Sequence, residues 1–261
     1  MNIAVIGGTG LIGTRLVAEL VADGHDVVTA SRATGVNSYT GEGRAEALAG
    51  VEIVIDVSNA GYLDERGAND FFYGSTLNLL TYGAAAGVRH HIALSVVGTD
   101  RLARTEHGYF AAKAAQEQLV RRSGQQFTIV HATQFFEFLP HIADASTSHN
   151  TVRLSHALVQ PIAAADVAAA IAATAAGPPV NAVIEFAGPE QFRLEEIVRR
   201  ELRIRRDARE VVRDPLARYF GTDLDERELL PGPDATIAPT RFADWLESGG
   251  RSVIDLEGPV R

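Results

Sequence analysis

The chain has 261 residues, no cysteine and a formal net charge of −9, with 46% hydrophobic and 22% charged residues. That length can bury one large domain, or one domain with a small lobe. The acidic balance argues against nucleic-acid binding, which needs a basic face, and the missing cysteines exclude disulfides, thiolate metal sites and cysteine nucleophiles.

In chain order the pattern opens on a strand, "NIAVI" (2–6), with no basic leader before it, and a cytoplasmic protein is expected. A helix over 11–22, a strand "DVVTA" (26–30), a short helix over 44–49 and a strand "EIVIDV" (52–57) follow. Next come a long helix over 66–87, a strand "HIALSV" (91–96), a helix over 108–123 and a strand "FTIVHA" (127–132). Strands without polar alternation, separated by helices, predict an α/β fold with a doubly wound parallel sheet, the Rossmann arrangement. Beyond residue 133 the rhythm changes. A strand "TVRLSHALV" (151–159) precedes an alanine-rich helix with Asp166 near its start and Gly177 after its end, then a strand in "NAVIEFAGPE". That helix is too short for a bilayer, so no membrane span is expected. The expected division is a core over 1–189, with 134–150 as an excursion toward the substrate, and a small C-terminal lobe over 190–261 covering the carboxyl edge. The arginines of "VRRELRIRRDARE" (198–210) alternate with acids, as on a solvated helix face.

"VIGGTGLIG" lies between the first strand and the first helix, the context a dinucleotide fingerprint requires. Gly7, Gly10 and Gly13 would give a tight bend, close backbone approach to a pyrophosphate and close helix packing, with Thr9, Leu11 and Ile12 completing the loop. The second strand ends in Ser31 and Arg32, where an acid would favour a free ribose hydroxyl. A guanidinium suits a 2′-phosphate instead, so NADP(H) is expected over NAD(H). Asp56, Val57, Ser58 and Asn59, at the end of the third strand, are expected where an adenosine would rest.

Lys113 is the single lysine among 24 basic residues, and Tyr109 precedes it by one helical turn on the same face. A nearby ammonium stabilises phenolate and would fit Tyr109 for proton transfer near neutral pH. The flexible ammonium can also hold ribose hydroxyls. Ser95, ending the fourth strand, is expected beside the same crevice. Gln134, Phe135, Phe136 and Phe138 in "HATQFFEFL" follow the fifth strand and are candidates for an apolar, flat-walled substrate side; a core-facing role for the phenylalanines is the other reading. No metal site is expected: His90 and His91 should point to opposite faces of a strand.

Taken together, "GGTGLIG", "GVRHHIALSVVG", "GYFAAKAAQEQLV", "TIVHATQFFEFL" and "PIAAADVA" resemble the atypical, NmrA-like branch of the short-chain dehydrogenase/reductase superfamily. The resemblance implies Tyr109 as acid/base, Lys113 as its pKa-lowering and ribose-holding partner, and Ser95 as the hydroxyl orienting a substrate oxygen. It also implies an asparagine that this chain lacks, with Phe72 in the expected slot. The function implied is NADPH-dependent hydride transfer to an apolar carbonyl or quinone. The alternative is a non-catalytic NADP(H) sensor acting through a protein partner, and a third reading is an epimerase using the dinucleotide transiently. A homodimer is compatible with each.

Overall fold

The computed structural model describes residues 1–60, 65–104 and 108–249. The first half runs β1 (Asn2–Ile6), α1 (Leu11–Ala22), β2 (Asp26–Ala30), α2 (Arg44–Leu48), β3 (Ile53–Asp56), α3 (Glu65–Ala86), β4 (His90–Val96), α4 (Thr99–Leu102), α5 (Tyr109–Arg122) and β5 (Phe127–Ala132). The second half runs α6 (Leu139–Ala145), β6 (Thr147–Ser148), β7 (Thr151–Leu154), β8 (Leu158–Val159), α7 (Ala164–Ala176), β9 (Val183–Ala187), β10 (Phe192–Arg193), α8 (Leu194–Ile204), β11 (Glu210–Arg213), β12 (Thr236–Ile237) and α9 (Phe242–Glu247).

The apolar runs of the first half become a seven-stranded sheet in the order β12-β9-β5-β4-β3-β1-β2, each pairing parallel. Both faces are covered, and the two-residue period of a strand distributes β1 between them. Ile3 and Val5 pack with Leu16 and Leu20 of α1 and with Val167 and Ile171 of α7, while Ala4 and Ile6 pack with Leu48 and Leu79. Leu16 and Leu20 are fully buried, each contributing about 1.5–3 kcal/mol. On the opposite face α5 packs along α3. Among the described residues no helix is long and apolar enough to cross a membrane.

Two expectations need correction. The strand expected over 151–159 divides into β7 and β8. His156, between them, is held by Glu195 at 2.6 Å and its carbonyl accepts from Arg193 at 2.9 Å, so the chain is turned toward the start of α8. The lobe expected over 190–261, of which 250–261 lie outside the described residues, is also not wholly separate. α8, β10 and β11 do lie with β7 and β8, but β12 returns to the large sheet beside β9, where Gly232 N–H donates to Glu185 at 2.6 Å. The Thr240 hydroxyl donates to Asp166 of α7 at 2.9 Å, stitching the tail to the core helix.

Candidate functional site

The order of strands fixes where a ligand can sit. β1 lies inside the sheet with β2 on one side and β3 on the other, so the chain reverses direction there and opens a crevice at the carboxyl ends. The glycine loop fills the mouth of this crevice. Gly7 has φ +81°, and a Cβ there would stand 2.8 Å from the Cα and N of Ser58, so only glycine fits against the end of β3. At Gly13 a Cβ would overlap the Gly7 carbonyl oxygen. Gly10 differs: a Cβ there would meet only the Gly7 oxygen, at 3.3 Å, and the residue is exposed. Gly10 caps α1 without a side-chain hydrogen bond, so the first-turn N–H groups and the positive helix end face the open side, as a pyrophosphate requires. Thr9 is exposed and Leu11 half-buried at this opening; the Ile12 side chain goes into the core beneath it, which leaves only its backbone for the loop.

Ser31 and Arg32 lie at the end of β2. Ser31 N–H donates to Thr34 Oγ1 at 2.9 Å, and Arg32 begins an exposed single turn with no acid in it. The segment 56–59 ends β3, which lies between β1 and β4, so it stands across β1 from β2. Val57 N–H is bonded to Ile6 O at 3.0 Å. The Asp56 carboxylate, 1% exposed, turns inward: it accepts from Ser58 N–H at 3.0 Å, from the Ser58 hydroxyl at 2.6 Å and from Gln116 at 3.0 Å. Asn59 is exposed and accepts the Tyr109 hydroxyl at 3.1 Å.

Tyr109 and Lys113 share a face of α5, and both are buried. Phe72 of α3 touches both: its ring lies edge to face with Tyr109, centroids 5.8 Å apart, and the Lys113 ammonium sits 4.5 Å from its centroid. Lys113 also donates to Leu94 O at 2.8 Å and to Gln116 Oε1. Burial pushes its pKa down to about 8, against the attraction of Asp56 and Glu117. Two of the three ammonium donors expected to hold ribose hydroxyls are thus engaged within the protein.

Ser95 is likewise committed elsewhere. Its hydroxyl donates to Glu117 at 2.6 Å rather than standing ready to orient a substrate oxygen. The same Glu117 oxygen accepts from His131 Nε2 at 2.8 Å, and the other ring nitrogen of His131 lies 3.7 Å from Glu185. Burial works against ionising both groups. The hydrogen bonds of Glu117 with His131 and Ser95, and of His131 with its two glutamates, outweigh it: Glu117 is held below its usual pKa and His131 above.

After β5 the chain crosses to the start of α7. Ile162 N–H donates to Gln134 O at 2.9 Å and Phe136 N–H to Ile162 O at 3.0 Å. The Gln134 side-chain amide is buried, without a hydrogen-bond partner among the described residues. Phe136 is no substrate contact: it is fully buried against Phe242 and Trp245. Phe135 packs, half-buried, into the core beside α7. Phe138 is half-buried, its ring 5.9 Å from Phe220. A succession of rings then runs Phe72, Tyr109, Phe110, Tyr219, Phe220, Phe138, His141, neighbouring centroids 4.8 to 6.1 Å apart.

Sequence reasoning missed Gln116, Glu117 and His131. Gln116 carries a readable signal, seven residues from Tyr109 on one helix face. The alternation of β4 and β5 could have paired Ser95 with His131, which are in register.

Residues 7–178 match the model of the family described as NAD(P)H-binding. A curated relative, the photosystem II assembly factor Ycf39 of Synechocystis sp., is 24% identical over 153 residues, covering 53% of this chain and 46% of its own, so the chain spans about half that relative's length. Solved structures share the fold at low identity. MoeE5 in complex with UDP-glucose and NAD has a TM-score of 0.75 at 18% identity, covering 97% of this chain and all of that one. DesIV, a dTDP-glucose 4,6-dehydratase from Streptomyces venezuelae bound to NAD and TYD, gives 0.69 at 19%, covering 95% of each. RMD from Pseudomonas aeruginosa, complexed with NADPH, gives 0.60 at 15%, covering 96% and 93%.

Proposed function

The chain belongs to the NAD(P)H-binding family, and from that premise we propose that it is an NADPH-dependent oxidoreductase that reduces an apolar aromatic carbonyl or a quinone. The observation that carries the acceptor class is the run of rings from Tyr109 through Phe110, Tyr219 and Phe220 to Phe138, in which Tyr109, Phe110 and Tyr219 are buried as backing and Phe220 and Phe138 are partly exposed. Aromatic walls favour flat apolar ligands by stacking and burial. Phe220 sits at φ +46°, a strained conformation of the kind stored at ligand sites. When bound, the dinucleotide supplies hydride. The part of the chain is to hold the acceptor against the rings and to give its oxygen a proton from the Tyr109 hydroxyl.

The preference for NADPH rests on Arg32, exposed at the end of β2 with no acid in its turn. Arg32→Ala is expected to reduce the ratio of NADPH to NADH affinity by about tenfold, the equivalent of one charge-assisted hydrogen bond. Titration by reduced-nicotinamide fluorescence reads this directly, and equal affinities in the unaltered protein would refute the preference.

Tyr109→Phe is expected to slow ketone turnover at saturating NADPH by about 10²–10⁴, the range of general acid catalysis. A quinone accepts hydride with less help, and its turnover should fall by less than about tenfold in the same variant. Absorbance at the reduced nicotinamide band across a panel of quinones and aromatic ketones tests both. A second reading, a redox sensor acting through a protein partner, is favoured by the engagement of Lys113 with Leu94, Gln116 and Phe72. Binding of NADPH without oxidation by any member of the panel would select it.

A further inference from the structure

We propose that Gln116 is a positioning residue which, backed by the buried Lys113, holds the loop after β3 against Tyr109 and so shapes the nicotinamide side of the crevice. The proposal rests on the family's dinucleotide and is independent of the acceptor named above.

The polar contacts close on themselves. Tyr109, Lys113 and Gln116 occupy positions i, i+4 and i+7 of α5, hence one face. Lys113 donates to Gln116 Oε1, and Gln116 Nε2 donates to Asp56 Oδ2 at 3.0 Å. Asp56 Oδ1 takes the N–H and hydroxyl of Ser58, and the next residue, Asn59, takes the Tyr109 hydroxyl at 3.1 Å. Two successive residues of one loop are thus tied to two ends of one helix face. Lys113, Gln116 and Asp56 are each 2% exposed or less, so water cannot replace any link cheaply.

The chemistry of the middle link is specific. An amide accepts from an ammonium at its oxygen and donates to a carboxylate at its nitrogen, joining two buried charges while remaining neutral. Ser58 and Asn59, which it fixes, lie on the β4 side of the crevice, across β1 from β2 and from Arg32, the residue proposed to meet the adenosine half. A loosened loop should therefore be felt by the nicotinamide half of the ligand and spare the adenine half. A merely structural role would weaken both.

The test compares NADPH with ADP on the full chain carrying Gln116→Met, Asn59→Ala or both. Each single change is expected to raise the Kd for NADPH about tenfold while ADP stays within about twofold, and the double variant should be no weaker than the worse single, because one circuit is broken once. Should Gln116→Met fail to fold, Gln116→Glu keeps the acceptor for Lys113 and repels Asp56, with the same selective loss expected. Unchanged NADPH affinity, an equal loss for ADP, or additive losses in the double variant would each overturn the positioning role. Failure of the unaltered chain to bind NADPH would remove the dinucleotide premise itself.

Discussion

His131→Leu is expected to lower stability by about 3 kcal/mol, the lower end for a broken buried pair, because Glu117 loses its imidazolium and keeps only the Ser95 hydroxyl and the Arg121 guanidinium at 3.5 Å. For a chain of this size that corresponds to a fall in Tm on the order of 10 °C. The His131 side chain is 7% exposed and lies between Glu117 and Glu185, whose side chains are 9% and 22% exposed. Leucine is similar in bulk to the imidazole, so the loss isolates charge from volume. The pH dependence gives a second signature. The folded-state pKa of His131 is raised above its ordinary 6.5, so its contribution is fully present below that value and is lost as pH rises through the higher folded one. Glu117 and Glu185 are lowered below 4.5, so theirs is present above 4.5 and lost as pH falls through the lower folded values. The cluster therefore stabilises most between about pH 4.5 and 6.5. Differential scanning calorimetry from pH 4 to about pH 9 should show the unaltered chain losing Tm at the alkaline end in a way His131→Leu does not. Parallel curves would mean that His131 is not charged in the folded chain.

Gly13→Ala and Gly10→Ala should separate folding from ligand approach within a single loop. At position 13 the added methyl overlaps the Gly7 carbonyl oxygen and crowds Gly8 Cα, backbone that no rotamer can move. Overpacking of this kind costs about 1–3 kcal/mol, and the displaced loop should lose dinucleotide affinity with it. At position 10 the methyl meets only the Gly7 oxygen at 3.3 Å and otherwise points into open space. Gly10→Ala should therefore keep a near-normal Tm while weakening NADPH by about tenfold or more, since the methyl occupies the approach of a pyrophosphate to the helix N-terminus. The paired measurements are thermal unfolding and fluorescence titration. Unaltered NADPH affinity in Gly10→Ala would place the phosphates away from this loop.

The two cases mark the limits of what residue order discloses. The glycine loop was legible because its bend and the Gly13–Gly7 approach at the helix start lie within the seven residues "GGTGLIG"; the contact of Gly7 with Ser58 was not. Local patterning equally disclosed β1, β2 and β5 with their bounds, and the pairing of Tyr109 with Lys113 on one helix face. The fold class follows from the same source, as buried strands and intervening helices state the layering by themselves.

What lay beyond reach depended on partners distant in the chain. Nothing near Lys113 announces that Phe72 and Leu94 will receive its ammonium, and nothing near Ser95 announces Glu117 and His131. The segment 56–59 was legible as a polar strand end, but its side of the crevice was decided by β3 pairing with β1 and β4 rather than with β2. Phe135, Phe136 and Phe138 look alike in sequence, and only packing against Phe242 and Trp245 on one side and Phe220 on the other tells them apart. The sequence by itself determined the first five strands of the sheet, the main helices between them and the glycine loop, because hydrophobic period and glycine sterics act over a few bonds. The tertiary structure alone decided where each buried charge found its partner, because desolvation makes a charged group take whichever counter-group the fold brings within about 3 Å.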